Sequence, residues 1–97
     1  MKVIWKYNID ITDTQVLNTK ADAKFLTVQM QDYYPAIWVE VDTENGNEEY
    51  VIEVFGTGNP MTDHDRQYLG TIQESNFVWH VYVRDESIMD AVVVYEQ

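Results

Sequence analysis

The sequence predicts a mostly β domain: an antiparallel β-sandwich or small barrel of six or seven short strands, with at most one short helix. Three observations support this fold class. Apolar and polar residues alternate with period two in successive segments. Turn-forming residues separate these segments every eight to twelve residues or so. Aromatic residues make up 13% of the chain, which is typical of pleated, half-buried surfaces. We expect one domain over residues 1–97.

The first strand is predicted at residues 2–9, where Val3 and Tyr7 fall on one face and lysines mark the other. A short edge strand is predicted at residues 15–18. Residues 21–23 are the one helix-friendly spot, and they are too few to nucleate a stable helix alone.

A hairpin is predicted from residues 24–31 and 36–42, which both alternate. In the first of these segments, Leu26 and Val28 are expected on the same face. Pro35 lies in the turn between them, because proline cannot donate a hydrogen bond to the ladder.

Three more strands are predicted after a turn at Asn45 and Gly46, a pair that accepts the positive φ of tight hairpins. They cover residues 50–55, 67–73 and 77–83. The last two are expected to form a further hairpin.

Residues 85–97 are interpreted as a variable or subunit-pairing tail. Within it, residues 88–95 are compatible with a strand or one helical turn, and the β-branched run favours a strand. An apolar terminal strand can pair with another subunit, so we expect a homo-oligomer.

Charge is the strongest compositional signal, with 17 acidic residues, six basic residues and a formal net charge of −11. Such a field repels phosphate backbones, so direct nucleic-acid binding is not expected. The chain has no cysteine, which excludes disulfides and thiolate ligands. It also has no apolar run near the length of a membrane span and no apolar signal-peptide region at its start. We expect no membrane association.

The glycine-rich stretch at residues 56–61 is the first candidate site. Its backbone amides could bind an anion, although a sharp bend is the better interpretation, because no Gly-Lys-Ser/Thr pattern follows. The stretch could hold a small anionic ligand beside neighbouring cationic and imidazole groups. The candidate ligand- or partner-binding residues here are Gly56, Thr57, Gly58, Asn59, His64, Arg66 and His80.

Aromatic residues on a polar rim, Trp38 on its strand face and Tyr34 in the preceding turn, are further candidates, because such side chains suit interfaces or stacking on a flat ligand. No metal site is predicted, since His64 and His80 do not form a ligand pattern with the adjacent acids. No catalytic residue and no cofactor are predicted either. The only serines, Ser75 and Ser87, lie in turns without the context of a nucleophile.

Several segments together resemble a family of small bacteriophage and prophage proteins of unknown function. They are, in order, IWKY at residues 4–7, VQMQ at 28–31, Trp38, FGTGNP at 55–60, YLGT at 68–71 and FVWHVY at 77–82. The resemblance implies a gene product that works in the cytoplasm of an infected bacterium.

In that context the leading hypothesis is a non-catalytic binding protein that counters a host antiviral defence system. It would bind a host defence protein through its acidic, aromatic-rich surface, or sequester a small nucleotide-derived immune signal. A structural or accessory virion or assembly protein is the alternative. A small enzyme is the third hypothesis, for which the sequence offers few of the required residues.

Overall fold

The structure, a computed structural model, describes residues 1–84. These residues form seven strands and no helix. In chain order the strands are β1 (Lys2–Asn8), β2 (Thr14–Lys20), β3 (Lys24–Gln31), β4 (Tyr34–Asp42), β5 (Asn47–Gly56), β6 (Arg66–Glu74) and β7 (Phe77–Arg84). Every strand predicted before residue 84 is present, and β2 is longer than expected. The predictions for residues 85–97 and 88–95 lie outside the described residues.

The strands form two antiparallel sheets, a three-stranded sheet in the order β1-β4-β3 and a four-stranded sheet in the order β2-β5-β7-β6. The predicted hairpins β3–β4 and β6–β7 are both paired as expected. The sandwich is confirmed, and the alternative barrel is not formed, because the two sheets remain separate. No helix in residues 1–84 has the length and apolar character to cross a membrane.

The core lies between the two sheets and is formed by the side chains on one face of each strand, where buried and exposed residues alternate. In β4 the side chains of Ile37, Val39 and Val41 are buried, and in β5 those of Ile52 and Val54 face them. Burial of each such side chain stabilises the fold by roughly 1.5–3 kcal/mol. Since one face of each strand is buried in this way, the other face is left for contacts outside the core.

Leu26 departs from the predicted alternation. The register of β3 against β4 shifts between Phe25 and Thr27, so Leu26 is the extra residue of a β-bulge. Phe25 and Val28 face the core, whereas Leu26 is 39% exposed. The prediction that Leu26 shares a face with Val28 is therefore wrong, because one inserted residue exchanges the faces on either side of it.

One of the turns differs in detail from expectation. Residues 21–23 form a turn, with Asp22 at a φ of 58°. The amide of Asn45 donates to the carbonyl of Asp42 at 3.1 Å, so the predicted Asn45–Gly46 turn is present. Neither residue of that pair has a positive φ, and the expected turn chemistry is therefore wrong.

Positive φ occurs instead at Asp32 and Tyr33, which join β3 to β4 with φ angles of 50° and 76°. Two successive residues of this kind make a type I′ hairpin turn, which favours Asn-Gly. A tyrosine in the left-handed region is strained by about 1–2 kcal/mol. Its side chain is 91% exposed, so little packing offsets the strain.

Replacement of Tyr33 with glycine is therefore expected to stabilise the protein by about 0.5–1 kcal/mol, after the extra unfolded-state entropy of glycine is subtracted. Thermal unfolding should show Tm rising by about 2–8 °C. Tyr34→Gly is the matched control: Tyr34 is exposed and has no positive φ, so its replacement should lower Tm. A lower Tm for Tyr33→Gly would show that the turn is not strained.

Candidate functional site

The outer face of the four-stranded sheet carries a buried carboxylate. In β5, Ile52 and Val54 belong to the core, so alternation turns Glu53 to the opposite face of the sheet. A carboxylate on an outer face usually lies in water, but the Glu53 side chain is only 2% exposed. Burial of an unpaired charge is very costly, so this position needs compensating partners.

Two arginines supply those partners. Arg66 and Arg84 lie opposite each other, where β6 begins and β7 ends, and both guanidinium groups reach the same carboxylate. Arg66 Nε donates to Glu53 Oε1 at 2.7 Å, and Arg84 Nη2 donates to Glu53 Oε2 at 3.1 Å. The arginine side chains are 7% and 23% exposed, respectively. We call Glu53, Arg66 and Arg84 the charge cluster.

The cluster keeps Glu53 ionised. Burial by itself raises the pKa of Glu53, but the hydrogen bonds and positive charges of Arg66 and Arg84 outweigh burial and hold that pKa below its usual range. Both carboxylate oxygens accept a hydrogen bond from an arginine. Glu53 is thus suited to holding the arginines in position rather than to donating a proton.

The β5–β6 loop (residues 57–65) begins with a tight turn. The amide of Asn59 donates to the carbonyl of Gly56 at 3.0 Å, and Gly58 has a φ of 87°. This is the pattern of a type II turn, whose third residue requires the conformational freedom of glycine. The glycine stretch is therefore a sharp bend, as predicted, and the Asn59 amide is already bonded within it.

Arg66 fastens this loop to the sheet. Its Nη1 donates to the carbonyls of Thr62 and His64 at 2.7 and 3.2 Å, and its Nη2 donates to Thr62 Oγ1 at 2.6 Å. The guanidinium carbon lies 5.0 Å from the centroid of the Phe55 ring, within the range of a cation–π contact. Arg66 thus uses four of its five N–H groups within its own chain and acts as a positioning group.

A pocket of about 340 Å³ opens between the β5–β6 loop, the start of β2 and the charge cluster. Arg84 has more unused hydrogen-bonding capacity than Arg66, because among residues 1–84 its Nη2 bonds to Glu53 and its Nε has no partner. The volume suits a small ligand. The pocket is lined by Asp13, Thr14, Glu53, Val54, Phe55, Asn59, Pro60, Thr62 and Arg84.

A row of aromatic rings continues from the pocket across the same face of the sheet. The ring centroids of Phe55 and Tyr82 are 5.9 Å apart, and those of Tyr82 and Tyr68 are 5.3 Å apart. Edge-on and tilted contacts at these distances are favourable between aromatic rings. The row gives this face an aromatic, partly apolar surface beside the arginine.

His80 lies in a chain of hydroxyl groups on this face. Its Nε2 is 2.8 Å from Thr57 Oγ1 and its Nδ1 is 3.0 Å from Thr71 Oγ1, and that hydroxyl also bonds to the Tyr68 hydroxyl. Both ring nitrogens are therefore engaged. Within residues 1–84 no group of three or more histidine, aspartate and glutamate side chains is placed to hold a metal ion.

The structure brings some of the predicted site residues together and separates others. Asn59 lines the pocket, Arg66 supports it, and His64 contributes its carbonyl to Arg66. Gly56, Thr57 and Gly58 build the turn at the start of the loop. Tyr34 and Trp38 lie on β4, in the other sheet, on the face that alternates with the buried residues of that strand.

Sequence reasoning missed Glu53 and Arg84, the two residues that form the floor and one wall of the pocket. The sequence does contain a signal for Glu53, because this charged residue stands directly between Ile52 and Val54 in the most apolar part of its strand. Arg84 offers a weaker signal, because a basic residue at the end of a strand is common on any solvated surface.

The fold and the site define a small antiparallel β-sandwich whose four-stranded sheet carries a pocket over a buried charge cluster. The chain belongs to the family described as "Domain of unknown function (DUF7352)", whose sequence model matches residues 1–91. No curated protein and no solved structure matches the chain.

Proposed function

We propose that this protein is a non-catalytic binding protein that captures a small, nucleotide-type ligand in the pocket beside Arg84. The guanidinium group of Arg84 carries the proposal: it lines the pocket, its side chain is 23% exposed, and among residues 1–84 it bonds to Glu53 through Nη2 alone. A phosphate oxygen in the pocket would accept a charge-assisted hydrogen bond from an exposed N–H of this group. Phe55 lines the same pocket and Tyr82 packs against Phe55, so both lie close to a ring of the ligand.

The local charge supports an anionic ligand despite the acidity of the chain. The pocket and its supporting cluster contain two carboxylates, Asp13 and Glu53, and two guanidinium groups, Arg66 and Arg84, so they are formally neutral. The whole chain carries −11. An anion therefore meets less repulsion here than over an average part of the surface.

The biological role that we propose is the countering of a host antiviral defence by sequestration of a nucleotide-derived signal, in the cytoplasm of an infected bacterium. This role rests on the resemblance to bacteriophage proteins. Capture of a basic defence protein would instead use the acidic surface, and it would show salt-sensitive binding that is independent of Arg84.

Titration calorimetry with ADP-ribose, cyclic AMP and a cyclic dinucleotide tests the proposal. We expect at least one of them to bind, and Arg84→Gln to weaken its binding about tenfold or more, because a charge-assisted hydrogen bond contributes roughly 1.5–3 kcal/mol. Asp13→Asn is expected to tighten binding about threefold, since it removes a like charge from the pocket wall.

The opposite signs of these two effects separate ligand contact from damage to the fold. Asp10→Asn is the matched control, because Asp10 is an exposed acid near β2 that does not line the pocket. Failure of all three ligands to bind would contradict the proposal. So would equal affinities of wild type, Arg84→Gln and Asp13→Asn.

A further inference from the structure

A second pocket adjoins the pocket beside Arg84 on the outer face of the four-stranded sheet. It measures about 310 Å³ and is lined by Thr14, Gln15, Val16, Val51 and Arg84. Thr14 and Arg84 also line the first pocket, so the two pockets meet at these residues. Ligand sites usually measure about 300–1,000 Å³, and the two pockets together have the size of a site for a ligand with more than one ring.

The register of β2 and β5 explains this arrangement. Val51, Glu53 and Phe55 alternate with core residues of β5 and therefore share its outer face. On the neighbouring strand β2, Val16 lies opposite Val51 and Thr14 lies opposite Glu53. Since a strand rises about 3.3 Å per residue, the Cα atoms of Val51 and Phe55 are about 13 Å apart, with Glu53 midway between them.

Both pockets offer apolar side chains on the sides that lie away from Arg84. In the second pocket, Val16 is 60% exposed and Val51 beside it is half-buried. In the first pocket, the corresponding side chains are Phe55 and Pro60. Exposed apolar groups that line a pocket are typical of ligand-binding surfaces. Each pocket can therefore receive one ring of a ligand.

The charges favour an anion only where the two pockets meet. Among the described residues that line either pocket, Arg84 is the one basic residue. Asp13 lines the first pocket, and Glu49 is an exposed acid two residues before Val51 on the outer face of β5. A ligand that spans both pockets would meet a guanidinium group at its middle and a carboxylate in or beside each pocket. The parts of the ligand away from Arg84 should therefore carry no negative charge.

We infer that the ligand of this protein is a phosphodiester with a ring system on each side of the phosphate, as in a dinucleoside monophosphate. The inference rests on the proposed function and adds a second subsite to it. The phosphate would lie at Arg84. One nucleoside would pack against Phe55 in the first pocket, and the other would cover Val16 and Val51 in the second. A diester suits this site, because it bears its single negative charge at the centre and none at the ends.

Titration calorimetry of the full chain with two matched esters tests the inference. The dinucleoside monophosphate of two adenosines has two rings, whereas the methyl ester of adenosine monophosphate has one ring and the same single charge. We expect the two-ring ester to bind about tenfold or more tightly than the one-ring ester, because its additional ring covers apolar surface in the second pocket. In nuclear magnetic resonance spectra, the methyl resonances of Val16 and Val51 should shift with the two-ring ester.

Two variants separate the subsites. Val16→Ser should remove most of the advantage of the two-ring ester and leave the affinity for the one-ring ester unchanged, because Val16 lines the second pocket but not the first. Arg84→Gln should weaken both esters about tenfold or more, since both place a phosphate at this residue. Val78→Ser is the matched control. Val78 is an exposed valine of the same sheet that lines neither of the two pockets, so its replacement should change neither affinity.

The outcomes distinguish this inference from the proposed function. Equal binding of the two esters, weakened alike by Arg84→Gln, would overturn the inference and leave the proposed function standing. A two-ring advantage that survives in Val16→Ser would also overturn it, as would unshifted resonances of Val16 and Val51. Failure of both esters to bind would overturn it too, and failure of every nucleotide ligand named above would overturn the proposed function with it.

Discussion

Replacement of Glu53 with glutamine is expected to lower the free energy of unfolding by about 3–5 kcal/mol, the usual cost of removing one partner from a buried ion pair. Glutamine has nearly the same volume, so no cavity contributes to the effect. The cost arises at Arg66, whose side chain is 7% exposed and would keep its charge without a counter-ion. Arg84 is more exposed and can turn toward water, so it should contribute less.

Chemical denaturation of wild type and variant measures this loss. Glu49→Gln is the matched control, because Glu49 lies on the same strand and the same side as Glu53 but is exposed. Its replacement should change the unfolding free energy by about 0.5 kcal/mol or less. In the double variant Glu53→Gln/Arg66→Met the second change removes the buried charge that the first leaves without a partner, so the total loss should be smaller than the sum of the two single losses. A loss below about 1 kcal/mol for Glu53→Gln would contradict this account of the cluster.

The effect should also depend on pH. Burial raises the pKa of Glu53, but hydrogen bonds from Arg66 and Arg84 outweigh it, so the pKa is lower in the folded protein than the ordinary value of 4.5. The ionised form is therefore favoured by folding, and its stabilisation is complete above the unfolded pKa. It is lost as pH falls through the folded pKa. The stability difference between wild type and Glu53→Gln should accordingly be constant near neutral pH and narrow below about pH 4.

Much of the fold could be predicted because alternation is a local property. Val39 and Val41, for example, lie on the buried face of β4 as their spacing indicated. The sheet order could not be predicted, since it depends on long-range pairing. For this reason Trp38 and Arg66, which sequence analysis placed among the same candidates, lie in different sheets.

The charge cluster could not be predicted from the sequence for a related reason. Alternation alone places Glu53 on the outer face of β5, where a carboxylate is ordinarily solvated. Its burial arises because Arg66 and Arg84, 13 and 31 residues further along the chain, cover it after β6 and β7 have paired. Gly56 and Gly58 indicated the loop in the sequence, but nothing in the sequence indicated which side chains would cover Glu53.

The contact between the two sheets provides the second large expected effect. Gly70 of β6 lies against Val28 of β3, and a Cβ atom added to Gly70 would lie 3.0 Å from Val28 Cγ1 and 3.5 Å from the Val28 carbonyl oxygen. The distance to the carbonyl oxygen is an ordinary van der Waals contact, but the distance to Cγ1 is too short, and Val28 is a buried core residue whose side chain has little room to move aside. Gly70→Val is therefore expected to lower the free energy of unfolding by about 2–3 kcal/mol through overpacking.

Thermal and chemical unfolding of a double-mutant cycle test this contact. Val28→Ala by itself removes buried methyl groups and should destabilise the protein. In the Gly70→Val background, Val28→Ala also makes room for the new valine. The double variant should therefore lose less unfolding free energy than the sum of the two single losses. Gly46→Val is the matched control, because a Cβ at exposed Gly46 would meet no atom within 4 Å. Strictly additive losses would mean that the strain of Gly70→Val does not arise from its contact with Val28.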